Sequence, residues 1–175
     1  MLESLISQMG ISEGASLPPV ERWNPPLSGI MDMQVRKDGT WWHEGGQIKR
    51  QALVRLFASI LKKEEGEFYL VTPVEKWKIQ VEDCPLHVLL VEESDGDITA
   101  VLSNGQEVIL GRGVKLEFSE LDGEMLPLLK LASGLTARFK RSSYYSLVEY
   151  IEFRNDGVPV VCSSGASFVI PLDEN

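Results

Sequence analysis

Alternating hydrophobic and polar residues predict two similar structural units along the chain. In the first, between residues 30 and 81, two alternating runs flank a tight turn and lead into a short amphipathic helix and a last pair of strands. The same order of elements returns between residues 128 and 170. The pattern therefore predicts an α+β fold in which a unit of antiparallel strands with one short helix is duplicated.

The first unit carries the clearest local signals. Met31, Met33 and Val35 alternate with polar residues, and Asp38-Gly39 is a pair that favours a two-residue hairpin turn. A helix is predicted over residues 49 to 63, because apolar side chains there recur at helical spacing. These side chains are Leu53, Leu56, Phe57 and Ile60.

The second unit follows a stretch of strands. Between residues 86 and 118, segments with the apolar–polar pattern of strands follow one another almost without interruption, which predicts an antiparallel meander. A hairpin with a Ser133-Gly134 turn comes next, and then a second helical stripe. The members of this stripe are Tyr144, Leu147, Val148 and Ile151.

The start of the chain differs from both units. Leu2, Leu5, Ile6 and Met9 fit one or two turns of an amphipathic helix, and a proline-rich segment between residues 17 and 26 follows, in which neither a helix nor a central strand persists. We therefore predict an N-terminal extension of residues 1–28, a small N-terminal α+β domain of residues 29–84, and a C-terminal α+β domain of residues 85–175.

Charge is unevenly distributed over the 175 residues. The formal net charge is -9, and residues 82 to 124 alone hold eleven acids against two bases, so the remainder of the chain is balanced. This balance argues against binding of duplex nucleic acid, which needs many cations on one surface. No apolar run is long enough to span a membrane, and only two cysteines occur. We expect a cytoplasmic protein without a signal peptide.

Basic residues stand at the start of both predicted helices. Arg50 and Lys49 lie in the first turn of the first helix, and Arg141 stands at the start of the second. The N-terminus of a helix presents unpaired N–H groups and the positive end of the dipole, so an arginine there suits phosphate or carboxylate. Arg138 and Lys140 accompany Arg141. The alternative is that these cations pair with carboxylates inside the protein, of which the candidates are Glu75, Asp83 and Glu149.

Two turns add polar candidates for the same ligand. In Thr72-Pro73-Val74-Glu75 the proline fixes a corner, so that the Thr72 hydroxyl and the Glu75 carboxylate are held in place to contact a ribose or an amino group. Ser163 and Ser164 precede a glycine and offer hydroxyls and N–H groups to a phosphate. Each segment is also explained as an ordinary turn between strands.

Catalytic and metal-binding motifs are not recognised. Cys84 and His87 form one pair without the second pair that a zinc site needs, and Gln106 stands where a calcium loop starting at Asp95 needs glutamate. Phosphate-binding loops and the nucleophile elbow are missing too. We predict no metal and no cofactor. The least favoured alternative is an enzyme that uses Cys84 and His87.

Adjacent tryptophans supply one further candidate. Trp41 and Trp42 are neighbours on one predicted strand, so their rings point to opposite faces of the sheet. One ring belongs to the core, and the other meets solvent, the second domain or a ligand.

Two runs stand out in the first half, Asp38-Gly39-Thr40-Trp41 and Tyr69-Leu70-Val71-Thr72-Pro73-Val74-Glu75. Together with further segments they resemble the bacterial domain of unknown function 1285 family. The similarity is strongest in the first half and extends over residues 23 to 170, with Gln47 standing where the family pattern has proline. The resemblance implies a duplicated α+β fold whose C-terminal part is similar to a pleckstrin-homology-like barrel. It also implies a signalling role through a nucleotide-like ligand held between the two domains. The segments that carry it include Asp38-Gly39-Thr40-Trp41, Leu53-Val54-Arg55-Leu56-Phe57, Tyr69-Leu70-Val71-Thr72-Pro73-Val74-Glu75, Gly134-Leu135 and Ser163-Ser164-Gly165.

These observations together predict a non-enzymatic binding or signalling protein. Its expected ligand is small, anionic and nucleotide-like, and it lies at the junction of the repeats. The alternative is a protein-interaction module that docks a partner through the acidic meander and an exposed aromatic ring. The residues predicted to bind the ligand are Lys49, Arg50, Thr72, Glu75, Arg138, Arg141, Ser163 and Ser164.

Overall fold

The structure, a computed structural model, describes residues 2–9 and 17–171. Its helices are α1 (Leu2–Met9), α2 (Gln51–Ser59) and α3 (Arg141–Val148), with a 3-10 helix at Val20–Arg22. The first strands are β1 (Gly29–Val35), β2 (Trp41–His43), β3 (Gly46–Gln47), β4 (Leu61–Glu64), β5 (Glu67–Val71) and β6 (Lys76–Val81). The others are β7 (Leu86–Ser94), β8 (Asp97–Leu102), β9 (Glu107–Ile109), β10 (Lys115–Leu121), β11 (Glu124–Lys130), β12 (Thr136–Phe139), β13 (Ile151–Phe153), β14 (Pro159–Ser163) and β15 (Ala166–Val169).

Two compact units make up this α+β protein. The first comprises Met1–Leu86 with Ser103–Gln106, and the second comprises His87–Leu102 with Glu107–Asn175. The predicted domain limits at residues 28 and 84 stay predictions, because compactness alone does not show that a segment folds independently. No helix in the described residues is long and apolar enough to cross a membrane.

The first unit contains a six-stranded sheet in the order β3-β2-β1-β6-β5-β4. The predicted hairpin is confirmed, since β1 and β2 pair antiparallel with Val35 opposite Trp41. The prediction of a two-residue turn is wrong: the N–H of Arg36 donates to Thr40 O at 2.9 Å, so the loop has three residues, 37 to 39. One pair departs from the prediction of antiparallel strands, because β1 and β6 run parallel. Alternation reports which face a side chain takes and carries no information about the direction of the neighbouring strand.

Helix α2 is shorter than predicted. It ends at Ser59, and the residues expected to form its last turn begin strand β4, where Leu61 pairs with Leu70. The apolar stripe nevertheless faces the core: Phe57 is fully buried, and its ring centroid lies 6.3 Å from that of Trp41. Residues 61 to 64 therefore pair with β5 and do not form the last helical turn, since the sheet supplies hydrogen-bond partners for their backbone N–H and C=O groups. The predicted amphipathic helix at the start of the chain is confirmed as α1, with Leu5 buried.

The second unit contains a six-stranded sheet in the order β10-β11-β12-β7-β8-β9 and a three-stranded sheet in the order β13-β14-β15. The prediction of one meander from residue 86 to 118 is wrong at its end, because β9 and β10 lie at opposite edges of the larger sheet. Strand β10 instead forms a long hairpin with β11 through a turn at Asp122 and Gly123, both at positive φ. A close hairpin partner costs less chain entropy than a distant one.

Helix α3 begins where predicted and ends earlier. Ile151, counted in the helical stripe, is the first residue of β13 and pairs with Val161. Leu147 is buried on the inner side of α3, while Tyr144 meets the Phe139 ring edge-on at 6.5 Å. The duplication with one short helix per repeat is confirmed. The resemblance implied a pleckstrin-homology-like barrel for the C-terminal part; the sheets are open and are consistent with a barrel-like, pleckstrin-homology-like sandwich.

Candidate functional site

Both repeats start their helix with cations, of which Lys49, Arg50 and Arg141 are exposed and Lys140 is half-buried. Arg50 is the N-cap of α2 and Lys49 precedes it, while Lys140 is the N-cap of α3 and Arg141 is its first residue. Neither cap makes a side-chain hydrogen bond to its helix, and neither first turn contains an acid. The positive end of each helix dipole is therefore accompanied by further positive charge, an arrangement that an external anion would stabilise.

Internal pairing does not account for the most exposed of these cations. Within the part of the chain that the structure describes, no ion pair involves Lys49, Arg50 or Arg141. The predicted internal partner Glu75 makes other contacts: it accepts hydrogen bonds from Ser4 Oγ at 3.2 Å and from Gln8 Nε2 at 2.7 Å. The Glu75 carboxylate therefore holds α1 against the corner before β6.

Thr72 stabilises that same corner. Its side chain is fully buried, and its hydroxyl accepts hydrogen bonds from the backbone N–H groups of Glu75 at 3.0 Å and Val74 at 3.3 Å. These bonds fix the geometry after Pro73, as the turn interpretation predicts. A direct contact of Thr72 or Glu75 with a ligand stays a prediction.

The side chain of Arg138 extends from β12 across β11 to β10. It is 3% exposed, although it stands on the central part of β12. Its guanidinium donates to Leu126 O at 2.8 Å, to Ser119 Oγ at 2.8 Å and to Ser119 O at 3.4 Å. Arg138 thus joins three neighbouring strands, and the structure separates it from Arg141, which lies exposed at the helix start.

Ser163 and Ser164 join three turns of the second unit. Ser163 is buried, and its hydroxyl accepts a hydrogen bond from the N–H of Ile98 at 2.8 Å. Ser164 has a φ of 52°, donates to Asp97 Oδ1 at 2.6 Å, and accepts from Arg112 Nε at 3.0 Å. Arg112 also pairs with the Asp97 carboxylate at 2.7 Å. Both hydroxyls therefore have internal partners, and their role in ligand binding stays a prediction.

The candidate residues form small groups. Lys49 lies beside Arg50, Thr72 shares its corner with Glu75, and Ser163 lies beside Ser164. In the described residues no hydrogen bond or ion pair joins one of these groups to another within its unit. The exposed groups that remain available are the two helix starts.

Cys84 and His87 do not form an accessible pair. Each side chain is 3% exposed, so neither is presented to substrate in solution. Among the residues that the structure describes, no cluster of three histidine, cysteine, aspartate or glutamate side chains is arranged to hold a metal.

The two adjacent tryptophans separate as predicted. Trp41 is buried against α2, whereas Trp42 points to the other face of the sheet and is half-buried. On that face the Arg36 guanidinium lies 3.7 Å from the centroid of the Trp42 ring. Sequence reasoning missed this partner, because a two-residue turn at Asp38-Gly39 would place Val35 opposite Trp42, whereas the observed register places Gln34 there.

A lysine cluster on the same sheet was also missed. Lys62 is 6% exposed and donates to Trp23 O at 3.0 Å and to Asn24 Oδ1 at 2.9 Å. It lies 3.2 Å from Glu64, which also pairs with Lys76. The hydrogen bond from Lys76 is the main reason that the pKa of Glu64 is lowered. The cluster attaches the proline-rich segment to the sheet.

Comparison with known proteins places both units in one family. The family models described as the N-terminal domain of a domain of unknown function (DUF1285) and the C-terminal domain of a protein of unknown function (DUF1285) match residues 18–84 and 88–170. No curated protein matches the chain.

Two crystal structures of similar proteins carry the same family name. A DUF1285 family protein from Silicibacter pomeroyi DSS-3 is 38% identical, covers 95% of this chain and 93% of its own, and superposes with a TM-score of 0.82. A DUF1285 family protein from Shewanella baltica OS155 is 28% identical, covers 69% of this chain and 92% of its own, and has a TM-score of 0.56. Because the two family models together match most of the chain and the Silicibacter protein aligns along nearly all of it, this protein belongs to the DUF1285 family.

Proposed function

We propose that this DUF1285 protein is a cytoplasmic, non-enzymatic binding protein for a small anionic, nucleotide-like ligand with a role in signalling. Each unit offers one candidate position for a phosphate or carboxylate group, at the start of α2 in the first and at the start of α3 in the second. The observation that carries the proposal is that Arg50 and Arg141 are exposed in the first turns of the two repeated helices, without an ion pair in the described residues. The chain contains only two cysteines, a low content that suits a reducing compartment.

Electrostatics favours an external anion at these positions. A cation beside the positive end of a helix dipole is mildly destabilising, so the recurrence of this feature in both repeats needs a compensating benefit. An anion bound there receives N–H groups from the first turn and charge-assisted hydrogen bonds from the arginine. Lys49 adds a second cation to the α2 start. The proposal assigns contacts with the sugar or base of the ligand to Glu75 and Ser164, which lie on turns.

A thermal-shift screen against mono-, di-, tri- and cyclic nucleotides, dinucleotides and inorganic phosphate tests the proposal. A ligand at one hundred times its dissociation constant stabilises by about 2.7 kcal/mol, which corresponds to roughly 5 to 10 °C for a chain of this size. The screen is repeated with Arg50→Gln, Arg141→Gln and the control Arg154→Gln, which changes an exposed arginine paired with Asp156.

The proposal requires that a nucleotide selectively raises the melting midpoint, and that this increase persists in the control Arg154→Gln. Loss of the shift in both test variants means that binding requires both helix starts. Loss in one variant assigns the ligand to that helix alone. If no compound changes the midpoint, or if both test variants respond like the wild type, the anion-binding function is wrong.

The acidic segment favours a second candidate, a protein-interaction module. All acids between residues 82 and 124 are exposed except Asp83 and Asp97, which are half-buried, and Met125 beside them is 52% exposed. A partner docked through this surface or through Trp42 would bind less tightly at high salt. Sedimentation at low and high salt, with Met125→Gln as the test variant, detects self-association through it. A sedimentation coefficient independent of concentration, salt and Met125 would contradict self-association.

A further inference from the structure

The outer face of the first sheet holds an arginine in a fixed orientation. Strand alternation places Gln34 opposite Trp42 and brings Arg36 to the same face. The Arg36 guanidinium carbon lies 3.7 Å from the centroid of the Trp42 ring, the distance of a stacked cation–π pair. The ring is itself oriented, because its Nε1 donates to Thr40 Oγ1 at 2.9 Å.

A chain of hydrogen bonds holds the other side of the guanidinium. Arg36 Nε donates to Gln34 Oε1 at 3.4 Å, and Gln34 Nε2 donates to Glu82 Oε1 at 3.2 Å. The N–H of Lys37 donates to Glu82 Oε2 at 2.9 Å. A neutral amide thus stands between Arg36 and the Glu82 carboxylate, so Arg36 is positioned without being neutralised.

The terminal nitrogens of Arg36 remain available. No ion pair with Arg36 occurs in residues 2–9 and 17–171. The carboxylates of Glu82 and Asp38 have other donors: Glu82 accepts from Gln34 and Lys37, and Asp38 accepts from the N–H and the hydroxyl of Thr40 at 3.0 and 2.6 Å. The planar fork of Arg36 is therefore preorganised, and less side-chain entropy is lost when it binds.

We infer that Arg36, stacked on Trp42 and oriented by Gln34, is an oxyanion-recognition site that takes two oxygens of a carboxylate or phosphate group in a bidentate pair. The site is independent of the two helix starts, since none of its residues belongs to them. Two parallel charge-assisted hydrogen bonds to one oxyanion are the strongest contact that an arginine makes. The half-buried Trp42 ring beside it accommodates an apolar or aromatic neighbour of the oxyanion.

Nuclear magnetic resonance titration tests the site at its own atoms. The Trp42 indole N–H and the Arg36 Nε–H signals are followed while sodium chloride is replaced by inorganic phosphate or by N-acetyl-aspartate at constant ionic strength. The variants are Arg36→Lys, which keeps the charge and removes the fork, Trp42→Leu, which removes the stacking surface, and the control Arg154→Lys. A fourth variant, Arg50→Gln with Arg141→Gln, separates this site from the helix starts.

We expect saturable shifts with at least one probe, and the tighter probe identifies the oxyanion as carboxylate or phosphate. Affinity falls at least about tenfold in Arg36→Lys and several-fold in Trp42→Leu, because each variant loses one element of the preorganised fork. It stays unchanged in Arg154→Lys and in the helix-start variant. Shifts that never saturate with either probe, or that saturate equally in Arg36→Lys, would overturn the inference.

Discussion

At the scale of single residues, burial decides which polar side chains remain available for binding. Thr72, Arg138 and Ser163 have the chemistry of ligand-binding residues, yet each is buried and hydrogen-bonded inside its unit. Arg50 and Arg141 have the same kind of chemistry and are exposed. Residue type alone does not separate these two groups, because the distinction depends on which face of a strand or helix the side chain takes.

Lys62 is expected to contribute to stability through its buried ammonium group. In Lys62→Met, the carbonyl of Trp23 and the amide of Asn24 lose their donor, which costs roughly 1 to 3 kcal/mol of unfolding free energy. Urea unfolding followed by circular dichroism measures the difference. Lys63→Met is the control, since Lys63 is exposed on the same strand and its replacement should cost less than about 0.5 kcal/mol. Equal losses in both variants would contradict the role of the buried ammonium.

The lowered pKa of Glu64 predicts that the stability of the protein depends on pH. Its pKa is lowered in the folded protein, mainly by the hydrogen bond from Lys76 and also by Lys62. A carboxyl with a lowered folded pKa stabilises the fold above its ordinary pKa, and this contribution is lost as the pH falls through the folded value. The wild type should therefore exceed Glu64→Gln in stability at neutral pH, and the difference should shrink below the ordinary pKa of 4.5.

Urea midpoints of the wild type and Glu64→Gln between neutral and acidic pH measure this difference. The matched control is Glu65→Gln, because the neighbouring Glu65 is exposed. The lysine pairs would be ruled out as the cause if the difference in urea midpoint between the wild type and Glu64→Gln stayed constant or increased on acidification.

At the scale of elements, the alternation of apolar and polar residues does not predict which strands pair with each other. The hairpins β1–β2 and β11–β12 were predictable, because each is bounded by a turn signal and its strands are close in sequence. The parallel pair β1–β6 was not, because it depends on which edges remain open after the local hairpins form. The β10–β11 hairpin was missed although Asp122-Gly123 is the same kind of turn signal as Asp38-Gly39. The helix starts at Arg50 and Arg141 were predictable, whereas both helix ends were overridden by strand pairing at Leu61 and Ile151.

The turn after β9 depends on a glycine. Gly111 has a φ of 93°, and a Cβ atom there would lie 2.7 Å from the carbonyl oxygen of Ser163. Gly111→Ala is therefore expected to destabilise the protein by roughly 2 to 4 kcal/mol, through backbone strain and the displaced β14–β15 turn. Gly123→Ala has a similar φ of 83° with open space around it, so it should cost only about 1 kcal/mol. Chemical denaturation of both variants tests the difference, and equal costs would show that the close approach to Ser163 is unimportant.

At the scale of the whole molecule, the net charge of -9 is concentrated between residues 82 and 124. Most of these acids are exposed, so they repel one another across the solvent-facing side of the strands and turns that carry them. The remaining residues are balanced in charge. The protein therefore has a strongly acidic segment together with exposed cations at Arg50 and Arg141, a distribution that the total charge conceals.

Salt should stabilise the protein by screening this repulsion. Raising sodium chloride from about 0.01 to 0.15 M shortens the Debye length from about 30 to 8 Å, which we expect to increase the unfolding free energy by up to about 1 kcal/mol. The gain should be smaller in the triple variant Glu120→Gln, Asp122→Asn and Glu124→Gln. It should persist in the control Glu3→Gln, Glu21→Gln and Glu44→Gln, which removes equal charge from exposed positions outside the segment. Equal reductions in both triple variants would contradict a local origin.

The sequence by itself determined the α+β class, the duplication, the main hairpins and the basic helix starts. These features follow from periodicity, turn residues and neighbouring charges, which act over a few positions of the chain. The tertiary structure alone decided that Arg138 is buried under three strands while Arg141 is exposed, that β1 lies parallel to β6, and that Arg36 stacks on Trp42. Those outcomes depend on contacts between segments far apart in sequence, and local patterns of polarity do not encode which distant segments become neighbours.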